Sequence, residues 1–191
     1  MRWSDEGYLL SKNNFNENSI LIETFTLEHG KYTGIVYGGS SRKQKRNFQV
    51  GNKILLNWQS KNENKTGYFN VELLNPIAPL FFDSKKKSVC ILSATSILRI
   101  LLPERETNKK IYNSFEKMLN NLERNNWVSL YINWELSLIK DLGFEDSVNS
   151  NNNGNIKKAL SFNRKLLMEN FIIPNRLKFP FFRNVLENYF S

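Results

Sequence analysis

The stretch TGYFNVELLNPIAPL, residues 66–80, holds the point at which this chain changes its periodicity. In its first half Phe69, Val71 and Leu73 alternate with Tyr68, Asn70 and Glu72, the period of two that puts one strand face in a core and the other in water. Beyond it, apolar residues recur at the helical period of 3.6. Upstream, four more short segments rich in β-branched and aromatic residues read as strands, roughly 7–11, 19–26, 31–37 and 53–59, with the fifth at 66–74. LEHGKY supplies a turn, with Gly30 suited to positive φ. Five short antiparallel strands must close or pair their edges, and a small five-stranded barrel does so most economically.

Downstream the signals are helical. Residues 84–102 are apolar along their length and stop at Pro103, which reads as a well-buried helix. Asn108 can cap a second helix with Ile111, Phe115, Met118, Leu119 and Leu122 on one face. Asn126 can cap a third, Trp127 to Leu142, closed by Gly143. The polar run NSNNNGN (149–155) reads as a flexible connection at about 147–155; two helices follow, from about 156 to 170 and from Pro180. The expected class is α+β, with a barrel domain at 1–76 and an all-α helical domain at 77–191.

With 191 residues, 40% apolar and 13% aromatic, the chain can bury a core of its own, and no run reaches the ~20 apolar residues of a membrane span. The N-terminus lacks the order of a secretory signal and Cys90 has no partner for a disulfide, so a soluble protein of a reducing cytosol is expected. Net charge is +9, concentrated in two blocks. From Lys31 to Lys65 there are eight basic residues against Glu63; from Lys157 to Arg183 there are seven against Glu169. Such segregation points to a polyanionic partner.

Enzymatic readings fare badly against the residues present. His29 is the only histidine, which argues against a multi-histidine metal site or a remote base for Cys90, and Cys90 sits among apolar residues of an expected helix. No phosphate-binding glycine fingerprint occurs, and the close pairs Asp5/Glu6 and Glu104/Glu106 have the spacing of solvated or capping carboxylates. The chain is therefore expected not to be an enzyme and to need no metal or cofactor.

The first basic block peaks in YGGSSRKQKRNFQVGN (37–52), where Gly38 and Gly39 precede Arg42, Lys43, Lys45 and Arg46. These four are the leading candidates for nucleic-acid contact, helped by Lys31, Lys53, Lys61 and Lys65; a merely solvated loop is the competing reading. Tyr37, Phe48, Trp58 and Tyr68 are candidates for base stacking, core packing being the commoner fate of such rings. Tyr68, with polar neighbours on its strand face, is the best of them. Lys157, Lys158, Arg164, Lys165, Arg176, Lys178 and Arg183 form a second basic surface for DNA or an acidic peptide, unless they are only a solvated helix face.

Three segments, TLEHGKYTGIVYGGSSRKQKRNFQVGN (26–52), LLPERE (101–106) and WELSLIKDLGF (134–144), resemble in order and spacing the RecO family of bacterial DNA repair and recombination mediators; KALSFNRKLLMENFIIPNRLKFPFF (158–182) is similar to its closing helical segment. The resemblance implies an N-terminal oligonucleotide-binding (OB) barrel and a helical C-terminal domain. It also implies a non-enzymatic role in the cytoplasm, at the nucleoid. Family members bind single- and double-stranded DNA, anneal strands, engage the acidic C-terminal tail of single-strand-binding protein, and work with RecR to load RecA. The chain departs from the family in lacking the cysteine-bearing excursion after Leu-Gly-Phe, so zinc is not expected. Tyr37 and Ser40 stand where many relatives are basic, and Ile132 and Asn133 where some carry arginines. Two other readings stay open at this point: an RNA-binding barrel protein of translation or ribosome assembly, and an adaptor that binds only proteins.

Overall fold

A computed structural model describes residues 1–41, 47–62, 66–144 and 155–190. Five strands, β1 (Arg2–Asn16), β2 (Ser19–Thr26), β3 (Gly30–Tyr37), β4 (Lys53–Gln59) and β5 (Gly67–Asn75), close into a barrel in the order β1-β2-β3-β5-β4. All neighbours are antiparallel except β3 and β5, which run parallel and close the barrel through Gly34↔Gly67 and Ile35↔Tyr68. This is the five-stranded barrel topology of the OB fold. The two glycines explain how the strands meet: a Cβ on Gly34 would lie 2.5 Å from the Phe69 ring, and one on Gly67 would lie 2.2 Å from Trp58 Nε1.

The barrel core is the inward set the alternation predicts, with Ile20, Ile22, Val36, Ile54, Leu56, Trp58 and Phe69 joined by Leu9 and by Phe48 from the loop before β4. Burying each such side chain contributes roughly 1.5–3 kcal/mol. The first strand is longer than expected, fifteen residues instead of the five at 7–11. Polar residues at its inward positions hid it. Asp5 is buried because its carboxylate accepts from the backbone N–H of Glu6, Glu28 and His29 and bonds His29 Nδ1 at 2.9 Å, so it holds the β2–β3 turn.

Past the barrel come a short 3-10 turn (Ala78–Phe81) and helices α1 (Lys85–Leu101), α2 (Lys109–Leu119), α3 (Trp127–Asp141), α4 (Ile156–Leu167), which runs into a π turn (Met168–Ile172), and α5 (Phe181–Asn188). The periodicity changes near Pro76, whereas compactness divides the chain into Met1–Lys109 and Lys110–Ser191. The first unit includes α1 because that helix packs on β1 and also touches the loop before β4: a Cβ on Gly51 would meet Ile91 Cγ2 at 2.3 Å. The segment after α1 also returns to the barrel. Arg105 N–H donates to Lys31 O at 2.9 Å, Thr33 Oγ1 to Glu104 at 3.0 Å, and the Arg105 guanidinium lies 5.4 Å from the Tyr32 ring. Two of the segments that carry the family resemblance, around His29–Tyr32 and at 101–106, thus meet.

In the second unit the centre is a buried ion pair. Glu135 of α3 and Arg183 of α5 both have fully buried side chains; Arg183 Nε donates to Glu135 Oε1 at 2.6 Å and Nη2 to Oε2 at 3.1 Å. Arg183 also donates to Leu160 O of α4 at 2.8 Å, which ties three helices at one guanidinium. Among the described residues no helix is long and apolar enough to cross a membrane.

Candidate nucleic-acid interface

β3 ends in Tyr37, which is 66% exposed. Side chains two apart share a strand face, so Tyr37 lies on the side of Ile35, whose partner across the parallel seam is Tyr68. The two tyrosines consequently stack outside the barrel, ring centroids 5.0 Å apart and planes 18° from parallel. The hydrogen bond with Tyr68, and secondarily desolvation, raises the Tyr37 pKa. Phe48 and Trp58 take the other fate, 1% and 4% exposed in the core.

The chain then turns sharply at Gly38, whose φ of +70° is left-handed and open to solvent. Gly39 has a different role, since a Cβ there would come within 2.6 Å of Ile20. Ser40 Oγ donates to Glu17 O at 2.8 Å and ties this exit to the β1–β2 hairpin. The cations that follow, Arg42, Lys43, Lys45 and Arg46, lie outside the described residues, as does Lys65.

The remaining basic candidates of the barrel separate by environment. Lys31 is only 8% exposed, and its ammonium donates to Arg99 O at 2.8 Å. Burial lowers its pKa, although Glu104 and Glu23 act in the opposite sense. It is an internal group, unavailable to a backbone passing in solvent. Lys53 pairs with Glu6 at 2.8 Å. Lys61 is exposed and lines a shallow cavity of about 410 Å³ with Arg2, Gln59, Ser60 and Tyr68. A larger cavity of about 630 Å³ adjoins it, sharing Arg2, Gln59 and Tyr68 and reaching inward to Trp3, Trp58, Phe48 and Phe69. Arg2 and Trp3 lie outside the first strand expected from sequence, which began at Gly7; the available signal was apolar Trp3 between the polar Arg2 and Ser4.

The second basic block divides too. Lys157, Lys158, Arg176 and Lys178 are exposed. Lys165 is exposed and sits 3.8 Å from Glu169 one turn on. Arg164 is engaged internally, bonding Asn184 and, at 3.2 Å, Glu187, with its guanidinium 4.3 Å from the Phe179 ring centroid. Arg183, counted with this block from charge alone, is the buried partner of Glu135. Elsewhere in the same unit a groove of about 390 Å³ has Met118, Leu130 and Trp134 in its lining, with Lys117, Arg124 and Asn133 around them. No charge run marks it in the sequence, because Lys117 and Arg124 come from separate turns.

Comparison with known proteins agrees with this architecture. A family model described as "Recombination protein O N terminal" matches residues 1–77, and one described as "Recombination protein O C terminal" matches residues 85–161. Curated relatives named DNA repair protein RecO include that of Cereibacter sphaeroides, 36% identical over 145 residues, which cover 75% of this chain and 60% of the relative. That of Wolbachia sp. subsp. Drosophila simulans is 32% identical over 164 residues, 85% of this chain and 68% of the relative. That of Hyphomonas neptunium is 35% identical over 147 residues, 75% and 60% respectively. The chain thus spans about 60% of the length of the Cereibacter and Hyphomonas relatives.

Proposed function

Given that the chain belongs to the RecO family, we propose that it serves DNA repair and homologous recombination as a binding and mediating protein without a catalytic step. The barrel binds single- and double-stranded DNA, promotes strand annealing, and helps load recombinase onto DNA coated with single-strand-binding protein. The observation that carries this reading is the Tyr37–Tyr68 stack on the outside of the barrel, with Tyr37 exposed and Tyr68 half-buried, and with the cation run of residues 42–46 following Tyr37 in sequence. Bases stack on such rings whatever their sequence, and cations beside them track the phosphates.

Arg42, Lys43, Lys45 and Arg46 supply the main backbone contacts, with Lys53, Lys61 and Lys65 in support. Lys31 drops out, because its ammonium is held by Arg99 O. Lys157, Lys158, Lys165, Arg176 and Lys178 offer a second cationic surface for a complementary strand, which lessens repulsion between two phosphate backbones. The groove with Trp134, Lys117 and Arg124 has the mix of apolar lining and flanking charge that suits the acidic tail of single-strand-binding protein. RecR and, indirectly, RecA are the further partners, and the place of action is the cytoplasm, at the nucleoid.

Salt dependence tests the backbone grip. If each of the four loop cations neutralises one phosphate, they contribute about −3 to the slope of log K against log salt on single strands, from ~0.7 per contact. Alanine at all four positions should flatten the slope by that amount, measured by fluorescence anisotropy. An unchanged slope refutes the assignment.

A further inference from the structure

We propose that the turn joining β5 to α1 is a docking surface for an acidic, amphipathic segment of a partner protein. The sequence there, APLFFDSKKK (78–87), sets apolar residues directly before three lysines. Side chains in a 3-10 turn repeat every three residues, so Ala78 and Phe81 share one side of it, and both are buried. That repeat leaves Leu80 and Phe82 outside, 62% and 61% exposed. The backbone beneath them is fixed. Ala78 N–H donates to the buried Asn52 Oδ1 at 3.0 Å, while Ser88 Oγ and Ser84 N–H donate to Phe81 O at 2.6 and 2.9 Å. Two large apolar side chains are therefore held in water on a rigid turn, which lessens the ordering cost when a partner covers them.

The lysines identify the partner's charge. Lys85, Lys86 and Lys87 fill the first turn of α1, which holds no acidic residue, and the N-cap Ser84 makes no side-chain cap bond. Cations at that end oppose the helix dipole, so the helix itself does not account for them; carboxylates of a docked segment relieve the opposition. Lys87 lies over the buried Phe81 ring, 5.6 Å from its centroid, whereas Lys85 and Lys86 are exposed. Asp83, also exposed, stands in sequence between the apolar pair and the lysines and gives the occupant a direction. Its apolar side chains cover Leu80 and Phe82, and its carboxylates reach past Asp83 toward Lys85. Other occupants match less of the surface. A phosphate backbone suits the lysines but not a leucine, and a bilayer is gripped by the broad apolar face of an amphipathic helix, which two side chains on a short turn do not provide. A second copy of a chain with net charge +9 brings the wrong sign.

The full chain is titrated by fluorescence anisotropy, at about 0.15 M salt, with a labelled synthetic helix of glutamate and alanine bearing leucine and phenylalanine on one face. A peptide of equal charge with serine at the apolar positions, and vesicles of anionic phosphatidylglycerol, are the comparison probes. The amphipathic peptide binds the parent more tightly than the serine peptide, and Leu80→Ser/Phe82→Ser weakens it by about 10- to 100-fold. Lys85→Glu/Lys86→Glu, which inverts the charge, weakens it as well. A benzophenone on the peptide's apolar face crosslinks within residues 79–86, located by mass spectrometry. Equal binding of the two peptides, an affinity unmoved by the substitutions, or crosslinks confined to other residues overturns the proposal. So does vesicle binding that needs Leu80 and Phe82 while the peptide fails to bind. If one double variant does not fold, as judged by circular dichroism, the other decides by the same criterion. Oligonucleotide binding, measured alongside, is the same in the parent and in Leu80→Ser/Phe82→Ser. Its loss in that variant assigns the turn to DNA and overturns the proposal, whereas its absence in the parent refutes only the function proposed for the barrel.

Discussion

Replacing Glu135 by leucine leaves the Arg183 guanidinium buried with two of its five N–H donors stripped of their acceptors. In the intact protein, burial works against that positive charge, and Glu135, then Tyr131 and Glu187, more than offset it, so the arginine's pKa is raised above its ordinary value. Without Glu135 the remaining partners are Leu160 O at 2.8 Å and Glu187 Oε2 at 3.1 Å, and the second of these is partly exposed. Breaking a buried pair from one side costs about 3–5 kcal/mol, because an uncompensated charge stays inside. A domain typically has only about 5–15 kcal/mol to lose, so Glu135→Leu should remove roughly a third or more of the stability of the unit Lys110–Ser191. Urea titration followed by far-UV circular dichroism reads this directly, since the unit is helical. The double variant Glu135→Leu/Arg183→Met removes both charges and should be at least about 2 kcal/mol more stable than Glu135→Leu alone. A single variant that loses under about 1 kcal/mol, or a double variant that loses the sum of its parts, would refute the argument.

Other expectations follow from the first unit. Glu23 is bound by Arg99, Nε at 3.0 Å and Nη2 at 2.6 Å; burial raises its pKa, but the hydrogen bonds from Arg99 and Ser11 outweigh this and lower it from about 4.5. Its contribution is therefore present above about pH 4.5 and lost as pH falls through the lower folded value, so Glu23→Gln should lose roughly 1 kcal/mol at pH 6 and less at pH 3 in thermal unfolding. Gly67→Ala presses a methyl onto Trp58 Nε1 and should cost about 1–3 kcal/mol, read as a lower urea midpoint with quenched or shifted Trp58 emission. Lys31→Met should leave the salt slope of DNA binding where it was, because the parent's ammonium faces Arg99 O and not solvent; a slope reduced by ~0.7 would return Lys31 to the interface.

Much of the fold was legible because periodicity is local. β2 and β4 stand at the expected residues, and the apolar spacing of Ile111, Phe115, Met118 and Leu119 marks the buried face of α2. The strand that defied its pattern was β1, where a buried Asp5 earns its place through backbone donors more than twenty residues away. At the candidate interface, Tyr68 was readable from its polar neighbours, whereas its partner Tyr37 could be joined to it only by the β3–β5 seam.

By itself the sequence determined the class of the fold, the change from strands to helices near Pro76, the family, and the two concentrations of positive charge, all of which are set by neighbouring residues or by order along the chain. Tertiary structure alone decided which of those charges face water. Lys31 and Arg183 look like surface cations in their segments, yet one ends on a carbonyl 68 residues away and the other on a carboxylate 48 residues away. Solvation is a property of what the folded chain places around a group, and those neighbours are remote in sequence.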